Sequence, residues 1–260
     1  MNPKVFDLES PVNRMVVDSV VSCVINADDL GISPEVNEKI FSLLDGGQLK
    51  SASLLVNGPA IAAAVARVAA YPHCSFGVHL NLTYGPPLTC NEDLNPILDG
   101  NGMFFEEFDR DRLTPAVQEA VFEEWRVQVE TARAMGVAVS HLDSHHHVHR
   151  IAALLPCLTR LQRQLRIDRL RGSWTIFPES GAGYPFGHPQ AFHETRTTQA
   201  FAALHTFMAH FGDNRSQPGP RIWELMTHPG SPNDGDTSLL LGGWRERLCF
   251  PVEILSFHEL

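Results

Sequence analysis

Apolar positions along this chain fall into two alternating patterns. Short β-branched runs at 20–26 (VVSCVIN), 51–56, 75–82 (SFGVHLNL), 137–143, 221–227 (RIWELMT) and 252–257 read as strands, several of them apolar on both faces. Between them the period lengthens to that of helices. Ser33 is a good N-cap and Pro34 suits a first helical position; Val36, Ile40, Leu43 and Leu44 then line one face until Gly46 and Gly47. An alanine-rich helix is expected over 59–70. Thr114 and Pro115 open a long one, with Val117, Val121, Trp125 and Val129 at i+4 steps, ending before Gly136. Further helices are expected at 151–166 and 197–211, with a short strand at 167–171 between them. Two stretches, 83–113 and 172–196, have no period and are rich in Gly and Pro. Connections that long usually cover or line a site.

Strands alternating with helices imply a mostly parallel sheet with right-handed crossovers. A doubly wound open sheet is one solution, but no G-x-G-x-x-G turn is present, so the expectation is an α/β fold built as a distorted (β/α) barrel. Residues 1–260 are read as a single catalytic domain, with 1–17 as an irregular leader. Polar groups recur where strands end: Asp28 and Asp29 after the first, His79 late in the third, His145 after the fourth, His228 after RIWELMT. Sites of parallel α/β proteins assemble at such carboxyl ends.

Composition narrows the field. Hydrophobic residues make up 43% and charged residues 19%, enough for a sizeable core. A formal net charge of −10 and a pI near 5.7 argue against nucleic acid or an anionic membrane as partner. No apolar run approaches the ~20 residues of a membrane helix, and the N-terminal stretch does not read as a signal peptide. Cysteines 23, 74, 90, 157 and 249 are odd in number and lack C-x-x-C spacing. Disulfides and a thiolate zinc site are therefore not expected, and a cytoplasmic setting is.

The densest chemistry lies in HLDSHHHVH, 141–149, with five histidines and one aspartate. Read with period two, His141, Asp143, His145, His147 and His149 would share one side of an extended segment. Imidazole is the commonest protein metal ligand, but one ion takes only one or two of these; the others would support ligands, touch substrate or be solvated. Asp28 and Asp29 leave their strand in different directions, so one can bind a cation while the other accepts a proton. His79 gains weight as a ligand because its strand should end beside theirs. Asn81 suits either ligand contact or a strand-end turn, and Arg171 either the surface or an orienting role beside a carboxylate. His228 faces proton donation or a simple turn before Pro229-Gly230. No G-x-S-x-G elbow or phosphate loop is present. An Asp/His/His set with room for water suits metal-assisted hydrolysis.

The motifs NADDLG (26–31), SASLLVNG (51–58), GVHLNLT (77–83), HLDSHHHVH (141–149) and ELMTHPG (224–230) resemble the YdjC-like carbohydrate deacetylases. The resemblance implies a distorted barrel related to polysaccharide deacetylases, one divalent metal ion, and removal of the N-acetyl group from an acetylated amino sugar with release of acetate. It implies Asp28 as general base, His228 as general acid and Asp29, His79 and His145 as metal ligands. Asn81, Arg171 and His147 become substrate-binding candidates, Arg171 in an auxiliary role. Family members commonly carry Mg2+, whereas imidazole-rich ligation fits Zn2+ by softness. The partner expected is a small carbohydrate, and analogy suggests a homodimer. Past Pro229-Gly230 the chain is shorter than the family pattern, which bears on substrate size. The rival readings are a hydrolase of the same fold acting on another amide or an ester, and a non-catalytic metal-binding protein.

Overall fold

The computed structural model describes residues 20–171, 174–175, 184–185, 195–213, 217–232 and 234–260. The expected leader at 1–17 and most of 172–196 lie outside them. Strand β1, Val21–Leu30, is the hub of the sheet. Its first half pairs with β9 (Val252–Leu255), its second half with β2 (Ser51–Leu54), and its other edge with β8 (Ile222–Thr227). Beyond β2 come β3 (Ser75–Leu80) and β4 (Val139–Ser144); beyond β8 come β7 (Ala200–Ala203), β5 (Trp174–Thr175) and β6 (Tyr184–Pro185). Every pairing is parallel except β5 with β6. The sheet curls into a half-barrel with flanking helices, the distorted α/β barrel expected.

Local sequence explains the helices. In α1 (Pro34–Asp45) the Ser33 hydroxyl accepts the Val36 amide at 3.2 Å, satisfying a donor that has no partner within the helix. The helix buries Val36, Ile40, Phe41, Leu43 and Leu44, the stripe its period predicts. After α2 (Ile61–Val68), α3 (Pro115–Ala134) is capped by Thr114 and buries Val117, Val121, Trp125 and Val129. It also buries Glu124 and Gln128, which no apolar pattern announces. Glu124 accepts the backbone amides of Leu88 and Thr89 and the Thr89 hydroxyl, so a carboxylate of the helix fastens the 83–113 connection. Short 3-10 turns at Glu92–Ile97 and Arg110–Arg112 lie within that connection.

Several expectations need correction. The helix expected at 151–166 is a 3-10 turn at Ala152–Leu154 followed by α4, Leu155–Leu165. The helix expected at 197–211 is strand β7 followed by α5, Leu204–Phe211. An unbroken apolar run reads the same in either state, and burial of β7 beside β8 decides for the strand. Residues 167–171 form no full strand. They make single parallel bridges, Leu170 to Leu142 of β4 and Arg169 to Arg196 in the segment leading to β7. A last helix, α6 (Asp236–Leu241), precedes β9. Among the described residues no helix is long and apolar enough to cross a membrane.

Candidate active site

The carboxyl ends of β1, β3, β4 and β8 deliver the site. The pairing of β1 with β2 slips between Ala27 and Leu30, and Asp29 takes a left-handed backbone with φ of 68°. That twist sends the two aspartates apart. Asp28 turns inward and is 1% exposed, while the Asp29 carboxylate faces His79 and His145. Asp29 Oδ1 lies 3.3 Å from His79 Nε2 and 3.0 Å from His145 Nδ1.

His79 and Asp143 are register partners across β3 and β4. Asp143 Oδ1 sits 2.8 Å from His79 Nδ1. A carboxylate only accepts, so Nδ1 carries the proton and Nε2 is the atom turned toward Asp29. The Ser53 hydroxyl donates to Asp143 Oδ2 at 2.7 Å, and Asn26 Nδ2 donates to Asp28 Oδ1 at 2.8 Å and to Ser53 Oγ at 3.0 Å. Arg171, fully buried, holds Asp28 through Nη1 and Nη2, Asp143 through Nη2 at 2.8 Å, and Glu224 through Nε at 2.7 Å. His228 stands at the open side, its side chain 39% exposed and its Nε2 4.0 Å from Asp28 Oδ2. Asp236 of α6 accepts the His228 backbone amide at 2.9 Å.

The cluster that dominates the sequence is divided by the fold. β4 stops at Ser144, and a 3-10 turn at His145–Arg150 carries left-handed backbone at His146 and His147, so the period-two reading fails. His141 stacks on Phe257 at 3.8 Å, far from any open face, and His149 bonds back to Ser144. His145 alone joins Asp29. His147 packs edge-on against Phe201 at 5.5 Å, with its buried Nδ1 unpartnered among the described residues. Asn81 takes the turn role: it is fully buried, donates to Asn57 Oδ1 and the Tyr84 carbonyl, and accepts the Thr83 amide. Arg171 likewise works behind the site rather than facing a substrate, because its donors are engaged by carboxylates and none of its side chain is exposed.

A family model described as YdjC-like protein matches residues 22–247. The chain belongs to the YdjC-like protein family. Carbohydrate deacetylase of Brevibacillus brevis is 31% identical over 91% of this chain and 92% of its own length. Carbohydrate deacetylase of Vibrio campbellii is 33% identical over 84% of this chain and 80% of its own. Among solved structures, a protein of Enterococcus faecalis V583 named for cellobiose-phosphate cleavage superposes with a TM-score of 0.69 over 93% of this chain and 99% of its own. At 20% identity it speaks for the fold alone.

Among the described residues of this YdjC-like chain two acidic groups have metal-ligand spacing: Asp29 with His79 and His145, and Asp28 with His79 and Asp143. The second is ruled out by charge, since the Arg171 guanidinium already lies against both of its carboxylates. The first fits a divalent ion. One carboxylate and two imidazoles converge on it, and the His79 tautomer is fixed by Asp143, the usual carboxylate–histidine support of a metal ligand. Burial opposes charge on Asp29, but hydrogen bonds from His145 and His79 outweigh it and hold the carboxyl well below its ordinary range. Burial likewise opposes the His79 imidazolium, yet Asp143 and Asp28 raise its pKa to about 10, so an ion must displace a proton there. Asp28 is kept ionised against burial by Arg171, with His79 adding to the effect.

Sequence reasoning passes over Asn26, Ser53 and Glu224, which complete this network. The signal was present in each case as a polar side chain inside a strand otherwise buried on both faces. Such a group must be paired to be tolerated.

Proposed function

We propose that this chain is a metal-dependent carbohydrate N-deacetylase, working as a single catalytic domain on an acetylated amino sugar. The observation that carries the reading is the divergence of two adjacent carboxylates. Asp29 joins His79 and His145, while Asp28 turns inward from that pair of ligands and is held ionised beside them by Arg171. Relatives spanning most of the chain are named carbohydrate deacetylases, which supports the same chemistry.

Asp29, His79 and His145 would hold one divalent ion, Mg2+ or Zn2+, which when bound polarises the acetyl carbonyl and acidifies water. The chain's own groups do the rest. Asp28 Oδ2 faces both His79 and His228 and accepts a proton from the attacking water. The guanidinium beside it makes Asp28 a weak base in equilibrium terms, so its contribution is placement of a charged acceptor that needs no reorganisation. His228, half exposed at the mouth, donates a proton to the departing nitrogen as the C–N bond breaks, leaving acetate and a free amine. Asp236 fixes the His228 backbone. The five cysteines are all unbonded, in keeping with a cytoplasmic enzyme.

The test is acetate release from N-acetylated mono- and oligosaccharides, with and without added metals, alongside simple acetate esters. Turnover of esters alone would favour the ester-hydrolase reading, and metal binding without turnover would favour a binding protein. Asp28→Asn should keep the ion and lose turnover. Full activity in that variant would end the base assignment.

A further inference from the structure

His228 is held by its main chain and not by its ring. Among the described residues its imidazole makes no hydrogen bond, and its Nε2 stands 4.0 Å from Asp28 Oδ2. A half-exposed ring keeps rotamer freedom, so the stance of its backbone decides where its proton can be delivered. That backbone is fixed at three points. Asp236 Oδ2 accepts the His228 amide at 2.9 Å, and Asp234 Oδ2 accepts the Gly230 amide at 2.6 Å. The third is steric. Gly230 has φ of 78°, and a Cβ there would lie 3.0 Å from Val36 Cα and 3.1 Å from the Glu35 carbonyl oxygen. Both are main-chain atoms of α1 and cannot step aside.

A helix cap would account for the bond from the Thr237 amide to Asp234 Oδ1, at 2.8 Å, but not for those from His228 and Gly230. Hydrogen bonds to a carboxylate are about twice as strong as neutral ones, which makes a stiff mounting for an exposed turn. The same helix holds the opposite side of the site. Asn37, buried in α1, accepts the Gly31 amide at 2.7 Å and donates to the Ala60 carbonyl at 3.0 Å. Gly31 closes the turn that carries Asp28 and Asp29. The end of β1 and the end of β8 therefore rest on one floor, residues 35–37 of α1.

We propose that Asp236 and Gly230 are positioning residues for proton donation: they lock the His228 turn against α1 and so set the reach from the donor to the reacting atoms beside Asp28. Each acts through His228 and not on the substrate. The inference rests on the deacetylase reading and on His228 as its acid.

The test uses the full chain with saturating Zn2+ and N,N′-diacetylchitobiose, and reads acetate release. Asp236→Ala should lower kcat about 10–100-fold, as a displacement of about 1 Å does, with KM and Zn2+ affinity unaltered. Asp236→Asn should recover most of that loss, because its amide oxygen accepts the same N–H. Gly230→Ala, which shifts the turn while leaving both carboxylates, should fall in the same range and can stand in for Asp236→Ala. In a His228→Ala background, Asp236→Ala should change kcat by less than about twofold, since the group it serves is gone. A purely structural role would cost the same factor in both backgrounds. That result overturns the proposal, as does full activity in Asp236→Ala or in His228→Ala. Where His228→Ala is too slow to read, Asp236→Asn decides: recovery upholds the proposal, and a rate as low as that of the alanine variant overturns it. No acetate from the unaltered chain would instead end the deacetylase reading, and this proposal with it.

Discussion

Arg171 grips Asp28 by both oxygens: Nη1 lies 2.7 Å from Oδ2 and Nη2 lies 2.5 Å from Oδ1, with neither side chain reaching solvent. A planar fork suits this pairing in a way an ammonium does not. The same guanidinium reaches Asp143 and Glu224, so one cation organises three carboxylates from three strands. Arg171→Met should therefore strip the charge from a buried cluster and destabilise the protein by about 3–5 kcal/mol, read by urea denaturation. Arg171→Lys should fold but lose most of its kcat, because a point charge cannot hold both oxygens. Normal kcat in the lysine variant would show that the fork is dispensable.

Asp143 never faces the proposed ion, yet it fixes the His79 ring through Nδ1. Asp143→Asn should weaken the affinity of the metal-free protein for Zn2+ about 10–100-fold, in the range such supporting groups command. Isothermal titration of the two proteins measures it. An unchanged affinity would mean that Ser53 alone orients the ring.

Gly77 sits under a ring that has nowhere to go. A Cβ built there would lie 2.5 Å from His141 Nε2, and the His141 ring is stacked on Phe257 at 3.8 Å. Gly77→Ala should cost about 1–3 kcal/mol of stability through overpacking, with KM for substrate unaltered in the folded fraction. Thermal unfolding would reveal the loss, and a melting temperature equal to that of the unaltered protein would contradict it.

Burial pushes the Glu224 carboxyl up from 4.5 to about 7, with Arg171 opposing and Asp143 and Asp28 adding to the rise. A raised folded value means the folded state holds the proton more tightly than the unfolded one. The stability this confers is present below about pH 4.5 and is lost as pH climbs through about 7. Asp28 and Asp29, held low, act in the opposite sense: their contribution is present above the ordinary carboxylate range and fades in acid. Glu224→Gln should remove the first slope only. Denaturant midpoints for both proteins across pH 4 to 8 would converge on parallel curves if Glu224 does not titrate there.

Much of this was legible in one dimension. The alternation of strand and helix foretold a parallel barrel, and polar residues at strand ends foretold where Asp28, Asp29, His79, His145 and His228 would gather. Two kinds of feature stayed hidden. Register is one: nothing local says that His79 lies beside Asp143, or that Arg171 reaches Asp28 across 143 positions of chain. Backbone departures are the other. The left-handed turn at His146 and His147 breaks the period-two face that would have joined His147 and His149 to His145, and an apolar run such as 200–211 carries no mark of where strand yields to helix.

Glu124 binds two amides and a hydroxyl of the 83–113 connection, and Gln128 spans the main chain of Asn81 on the strand side. A long connection tied to a core helix at one point and to the site strand at another moves with the barrel. A ligand arriving at the site would meet a surface already in its final shape. Little chain entropy would be given up on association, and encounter rather than closure would set the rate at which substrate is captured.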